Sequence, residues 1–165
     1  MPGRLSRLLL PFVLLGAVGV GAAMAAVAST QSTSATVKSA KSSKYGVVLV
    51  SASGRTLYRY ASDRKGASSC TGACAKLWPP LVVKSAVKPT AGAGVNASLL
   101  GTMKRGKGVV QVTYGGFALY RYSGDVKSGD VKGEGFQGKW YVVNTKGALV
   151  KKPVSSSGGS GGGWG

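Results

Sequence analysis

Histidine is absent from this 165-residue chain, and only four residues are acidic. Without histidine there is no Ser-His-Asp or Cys-His catalytic set and no haem attachment through C-x-x-C-H. Nearly all histidine zinc and copper sites go with them. Thioethers are scarce: Met1 and Met24 lie in the N-terminal apolar stretch, which leaves Met103. Cys70 and Cys74 are the two thiols. Against four carboxylates stand 22 Lys and Arg, a net charge of +18. These cations are scattered through the chain, and so few acids cannot neutralise them. Counter-charge has to come from outside the molecule.

The N-terminus suggests where that outside is. Arg4 and Arg7 form a basic n-region, Leu8 to Val20 an apolar h-region, and "AVA" at 26–28 a small-x-small cleavage pattern, with "AMA" at 23–25 as a second. Residues 1–28 are therefore expected to be a cleaved export signal. The competing reading is an uncleaved anchor, since the apolar run is nearly long enough to span a bilayer. Taking Arg4 and Arg7 from the 22 cations leaves 20 against four acids, a net +16 on a mature chain of 137 residues. That length suits one domain with a modest core. The polyanions an exported protein meets are envelope polymers, anionic lipid headgroups and extracellular DNA. Attraction to them is long-ranged, salt-sensitive and largely unselective, so no specific nucleic-acid recognition is expected. The plain alternative is charge serving solubility alone. No transmembrane segment is expected after cleavage, and no cysteine precedes Cys70 to carry a lipid.

Residues 29–44 are Ser/Thr/Lys-rich without periodicity and read as a flexible leader; 153–165 form a Gly/Ser-rich tail containing Trp164. Between them, Gly46 to Gly66 aligns without gaps on Gly108 to Ser128, with eleven of 21 positions identical at an offset of 62. Trp78 and Trp140 share that offset. Each copy opens with a β-branched run, turns at Ser/Gly 51–54 or Gly115–Gly116, and continues through the tyrosines, as a hairpin does. A strand beginning at Trp78 or Trp140 is expected to close each unit, and "NTKG" at 144–147 to turn into a last strand, Ala148–Lys151. Helix signals are few, the best being a short turn at Ala97–Leu100. The reading is an all-β domain over 45–152, with repeat 1 at 45–107 and repeat 2 at 108–152. It comprises antiparallel sheets from two similar units of about 62 residues with approximate twofold symmetry. One hairpin cannot bury enough apolar area alone, so the units are expected to share a core.

Within the repeat, "LYRYASD" at 57–63 returns as "LYRYSGD" at 119–125. Strand alternation points Tyr58 and Tyr60 one way and Leu57 and Arg59 the other, and likewise Tyr120 and Tyr122 against Leu119 and Arg121. The rings can form an aromatic ladder, and Asp63 and Asp125 fall where the chain turns, placed to accept from backbone N–H, tyrosine O–H or arginine. The structural reading makes them scaffold. The functional rivals are a stacking platform with Asp63 and Asp125 as ligand acceptors, or a pair of symmetric catalytic acids.

These motifs, with "CTGACAKLWPPL" at 70–81, "QVTYGGFALY" at 111–120 and "GDVKGEGFQGKWYVV" at 129–143, resemble the secreted-repeat family of bacterial envelope proteins, known for a Y-x4-D motif. Here that motif is Tyr58 to Asp63 and Tyr120 to Asp125, and the resemblance covers about residues 44–150. It implies an extracellular or envelope location. Many members are lipoproteins, and the family has no settled biochemical activity.

In an oxidising compartment the close pair Cys70 and Cys74 predicts a disulfide that shapes the turn before Trp78-Pro79-Pro80. Its rivals are a redox-active dithiol and a soft-metal site with Met103. Asp125, Asp130 and Glu134 lie within ten residues on a glycine-rich loop, a weak calcium candidate opposed by Lys127 and Lys132. "GTMKRGKG" at 101–108 lacks phosphate-loop spacing and reads as a basic connector. No cofactor is expected. Three functions follow: a non-enzymatic envelope module on anionic polymers or lipid headgroups, a redox or metal-handling protein using Cys70 and Cys74, and a hydrolase or transferase using Asp63 or Asp125.

Overall fold

A computed structural model describes residues 36–85 and 87–153; the expected signal peptide, the start of the leader and nearly all of the tail lie outside them. Eight short strands run in chain order: β1 Val37–Ser42, β2 Gly46–Ser51, β3 Tyr58–Tyr60, β4 Val82–Val83, β5 Leu100–Lys104, β6 Val110–Tyr114, β7 Phe117–Ala118 and β8 Trp140–Val142. One helical turn, α1 Ala73–Leu77, and two 3-10 turns, Ala97–Leu99 and Phe136–Gly138, complete the list. All strand pairs are antiparallel: β1 with β2, β3 with β8, and β6 with β4, β5 and β7. No helix among the described residues is long and apolar enough to cross a membrane.

Two similar units are present, but their boundaries differ from those expected. Residues 37–42, assigned to the flexible leader, form β1, which pairs with β2 from Val37↔Ser51 to Ser42↔Gly46. Its counterpart is β5, which runs from the expected turn at Leu100 into the stretch read as a basic connector and pairs with β6. Each unit thus begins with a hairpin whose first strand is polar and half-exposed, and polarity of that kind hides a strand from sequence.

The gap-free alignment also slips by one residue in β2. Leu57 N bonds Leu49 O, whereas its counterpart Leu119 N bonds Val112 O. The cause is the turn. Gly115 and Gly116, both at positive φ, make a two-residue hairpin that sets Tyr114 opposite Phe117. The first unit uses three residues, Ala52 to Gly54, closed by Ser51 N to Arg55 O. A one-residue shift flips every side chain to the other face. Val50 accordingly packs in one core cluster and Val112, its match in sequence, in the other.

The closing segments exchange partners. β8, from the second unit, pairs with β3 of the first; Leu49 N bonds Val143 O and Val143 N bonds Leu57 O. In return Pro80 bridges Tyr120, Leu81 N bonds Leu119 O, and β4 pairs with β6. Trp78 does not start a strand, contrary to expectation. It ends α1, and Pro79 and Pro80 supply no N–H donors, so Arg121 N to Pro79 O has no reciprocal bond and the strand shrinks to a bridge. The last strand expected at 148–151 is likewise reduced to a Val143↔Leu149 bridge and a Val150 N to Val142 O bond. At the centre Tyr58 and Tyr120 exchange backbone bonds of 2.8 and 3.0 Å, marking the approximate twofold axis.

Two core clusters flank this arrangement. An aliphatic one holds Val37, Leu49, Leu57, Leu81, Val112, Leu119 and Val143, with Tyr114; an aromatic one holds Tyr58, Tyr120, Trp78 and Trp140, with Val48, Val50 and Val142. Leu57 and Leu119 lie in the first and the tyrosines in the second, as period-two alternation requires.

Candidate functional site

The repeated motif converges on the aromatic cluster, where its two copies are crossed. Tyr58 Oη donates to Asp125 Oδ2 at 2.7 Å, and Tyr120 Oη donates to Asp63 Oδ2 at 2.5 Å. Each tyrosine therefore closes on the aspartate of the other unit. Both aspartates follow the same turn, Asp63 N to Tyr60 O and Asp125 N to Tyr122 O. The remaining carboxylate oxygens take local donors: Asp63 Oδ1 accepts from Ser69 N and Oγ, each 2.8 Å, and Asp125 Oδ1 accepts from Lys132 N at 2.9 Å.

Each tyrosine oxygen also has a second partner. Gly133 N donates to Tyr58 Oη at 3.3 Å. Tyr120 Oη meets Ser68 Oγ at 2.6 Å, and Ser68 Oγ in turn receives Arg105 Nη1 at 2.7 Å. Arg105 continues to Gln111 Oε1 and to the Cys70 carbonyl, while Gln111 Nε2 donates to Leu119 O. A polar chain thus runs from the β5 end to Asp63. It gives each polar atom of the buried Gln111 side chain a partner.

The rings stack in alternation. Tyr60, Trp140, Trp78 and Tyr122 form a four-ring column with successive centroids 4.6, 3.9 and 4.4 Å apart, the two tryptophans parallel to within 1°. Tyr58 sets its edge on Trp78 and Tyr120 its edge on Trp140, at 5.3 and 5.1 Å. The expected ladder exists, but the tryptophans carry it across the axis. Their shared offset of 62 was the available signal. Gly133 borders the column so closely that a Cβ there would sit 2.6 Å from the Trp78 ring.

Burial drives the electrostatics. Desolvation pushes both Tyr58 and Tyr120 well above the ordinary phenol range, reinforced by the facing carboxylate, so both remain donors. Asp125 is raised because burial outweighs its bonds from Tyr58 and Lys132 N. At 6% and 1% exposure, Asp63 and Asp125 are buried with both carboxylate oxygens hydrogen-bonded. Their geometry locks one unit to the other.

Cys70 and Cys74 form a disulfide with Cα atoms 5.2 Å apart. Cys74 occupies the position of Phe136 in the second unit, and both pack on the aromatic cluster. The bridge therefore fills in the first unit the place a phenylalanine fills in the second, and it tethers the expected turn before Trp78, which is helical as α1. Met103 is half-buried against the same cluster.

Asp125, Asp130 and Glu134 are not brought together. Asp130 accepts from Val126 N and Lys127 N, which hold its carboxyl below the usual range, and pairs with Lys132 Nζ at 3.5 Å. Glu134 turns inward to Val142 N at 2.6 Å, and burial pushes it up to about 7. Among the described residues no three metal-capable side chains converge.

Among curated proteins and among solved structures, nothing matches the chain. A family model described as a secreted repeat of unknown function matches twice, at residues 39–82 and 101–144. These spans begin within β1 and β5 and run to the exchanged closing segments, and together they cover more than half of the sequence: the chain belongs to this family of secreted repeats.

Proposed function

We propose that this protein is a non-enzymatic module of the cell envelope that associates with anionic polymers outside the membrane. The observation that carries this reading is the fate of its four carboxylates. Asp63 and Asp125 are buried on tyrosines, Glu134 turns in to Val142 N, and Asp130 caps its own loop. The one ion pair among the described residues is Lys132 with Asp130. Lys41, Lys44, Arg64, Lys65, Lys76 and Lys146 are exposed, as are many other cations. The 20 cations among the described residues outnumber the four acids by 16, and almost none of that excess is neutralised by internal ion pairs.

Such a surface attracts polyanions by releasing their counterions, so binding falls steeply with salt. The family's secreted character supports an encounter with polyanions outside the cell. The test is co-sedimentation of the mature protein with isolated cell wall and with soluble acidic polymer from low to high ionic strength. Capture that weakens several-fold between roughly 50 and 200 mM salt supports the reading. Capture indifferent to salt, or no capture at low salt, refutes it.

A further inference from the structure

The two units differ most at the arginine of the repeated motif. Arg59 is closed off. Its guanidinium carbon stands 3.5 Å from the centre of the Phe117 ring, and Nη1 donates to Gly147 O at 2.7 Å. Its counterpart Arg121 has no such cover. The position equivalent to Phe117 is Arg55, and the position equivalent to Tyr141 is Pro79. An aromatic cap in one unit is therefore replaced in the other by a second guanidinium beside a small ring.

The result is an open cleft of about 260 Å³ lined by Ser53, Arg55, Pro79, Arg121, Tyr122 and Ser123. Arg121 Nε is buried and has no hydrogen-bond partner among the described residues. The Nε of Arg59 shares that lack, but its cation meets a π-face and a carbonyl, whereas Arg121 shares its recess with Arg55, another cation. Two guanidiniums lining one recess repel each other unless an anion lies between them. Asp130 reaches Thr56, next to Arg55, through its backbone, its carbonyl accepting from Thr56 Oγ1, while its carboxylate is engaged by Val126 N, Lys127 N and Lys132. Arg105 makes the contrast plain: its guanidinium is taken up by Ser68, Gln111 and the Cys70 carbonyl.

Resting on the reading of the protein as a polyanion-binding module, we propose that this cleft is the subsite that receives a phosphate oxyanion of the polymer. Two planar guanidinium forks and the Ser123 hydroxyl, beside a Ser53 hydroxyl that shares a 3.0 Å bond with Ser51 Oγ, offer donors in more than one plane, which suits a tetrahedral group. The recess is smaller than the pockets that enclose drug-sized ligands, so it takes one charged group of a chain and leaves the rest outside. Scattered surface lysines supply attraction without register; the cleft supplies a fixed point.

The test measures binding of the full mature chain to long-chain polyphosphate, to polyglutamate and to vesicles of phosphatidylglycerol, at about 150 mM salt. Arg55 lies at the end of an exposed turn, so Arg55→Gln keeps the fold; Arg121→Lys keeps the charge and removes the fork. Lys84→Gln, an exposed lysine remote from the cleft, removes the same formal charge as Arg55→Gln. Each arginine change is expected to weaken polyphosphate binding about tenfold, and Lys84→Gln less than about twofold. Polyglutamate binding should fall no more for Arg55→Gln than for Lys84→Gln. Equal losses for Arg55→Gln and Lys84→Gln on polyphosphate overturn the subsite while leaving general polyanion binding intact. Selective loss on vesicles alone overturns the polymer assignment in favour of a lipid headgroup. Absence of binding to every probe by the unaltered protein removes the broader reading and the subsite together.

Discussion

Replacing Tyr58 by Phe removes one oxygen and leaves the ring on Trp78. That oxygen donates to Asp125, which is 1% exposed and would keep Lys132 N as its remaining donor. A hydrogen bond to a charged group contributes about 1.5–3 kcal/mol, and leaving a buried carboxylate short of a partner adds to the loss. The variant should therefore lose about 2–4 kcal/mol, or roughly 8–16 °C in Tm for a domain of this size. Tyr120→Phe should behave alike through Asp63, cushioned by the two bonds from Ser69. The informative experiment is a pair of double-mutant cycles followed by urea unfolding. Tyr58→Phe with Asp125→Asn should show a coupling of about 1–2 kcal/mol, because the two share one bond. Tyr58→Phe with Asp63→Asn lies within one motif copy and should be additive to within about 0.5 kcal/mol. Coupling inside each Y-x4-D copy, with additivity across copies, would refute the crossed arrangement.

Two further outcomes follow from the same geometry. Glu134 is raised to about 7 by burial, above the 4.5 of an exposed glutamate. A raised carboxyl contributes stability that is present below the unfolded pKa and is lost as pH rises through the folded one. The domain should therefore lose stability between pH 4.5 and 7, by about 1 kcal/mol once solvent screening is allowed for, and Glu134→Gln should flatten that slope. An unchanged slope in chemical denaturation across this range contradicts the assignment. Joint replacement of Cys70 and Cys74 by Ser should cost less than about 3 kcal/mol, because the closed loop is short, and should leave the aromatic near-UV signal intact. Complete unfolding of that variant, or ready opening of the bridge by mild thiol in the native protein, would instead make the bridge essential or redox-active.

The sequence carried the symmetry and the face of each motif residue, since identity over 21 positions and strict period-two alternation survive any detail of pairing. It hid the exchange. Nothing in "LYRYASD" distinguishes a tyrosine that reaches its own aspartate from one that reaches its copy's, because both placements satisfy the same turn and the same donor. β1 and β5 were illegible for a different reason: "VKSAKS" and "LGTMK" are edge strands with few apolar residues, and polar alternation resembles a linker or connector. The β2 slip was concealed by identity itself. Valines at 47, 48 and 50 match valines at 109, 110 and 112, yet a three-residue turn against a two-residue turn moves them to opposite faces. At the candidate site, the tryptophans were visible as a matched pair, whereas Arg55 opposite Phe117 is a difference between repeats. Such a difference gains meaning only once the fold shows that both positions cover the same arginine.

The central claim is that neither repeat completes itself, because closing strand and aspartate are both supplied by the other. Dividing the chain between Gly94 and Val95 breaks the local Val95 N to Gly92 O bond but keeps the longer-range ones on either side, since Gly92 N and the Thr90 side chain bind the β1 segment and Asn96 N binds Tyr114. Fragments 36–94 and 95–153 should each lack near-UV aromatic signal and cooperative unfolding when alone, and should regain both when mixed one to one. A fragment that folds by itself with the native tryptophan and tyrosine signature would contradict the account.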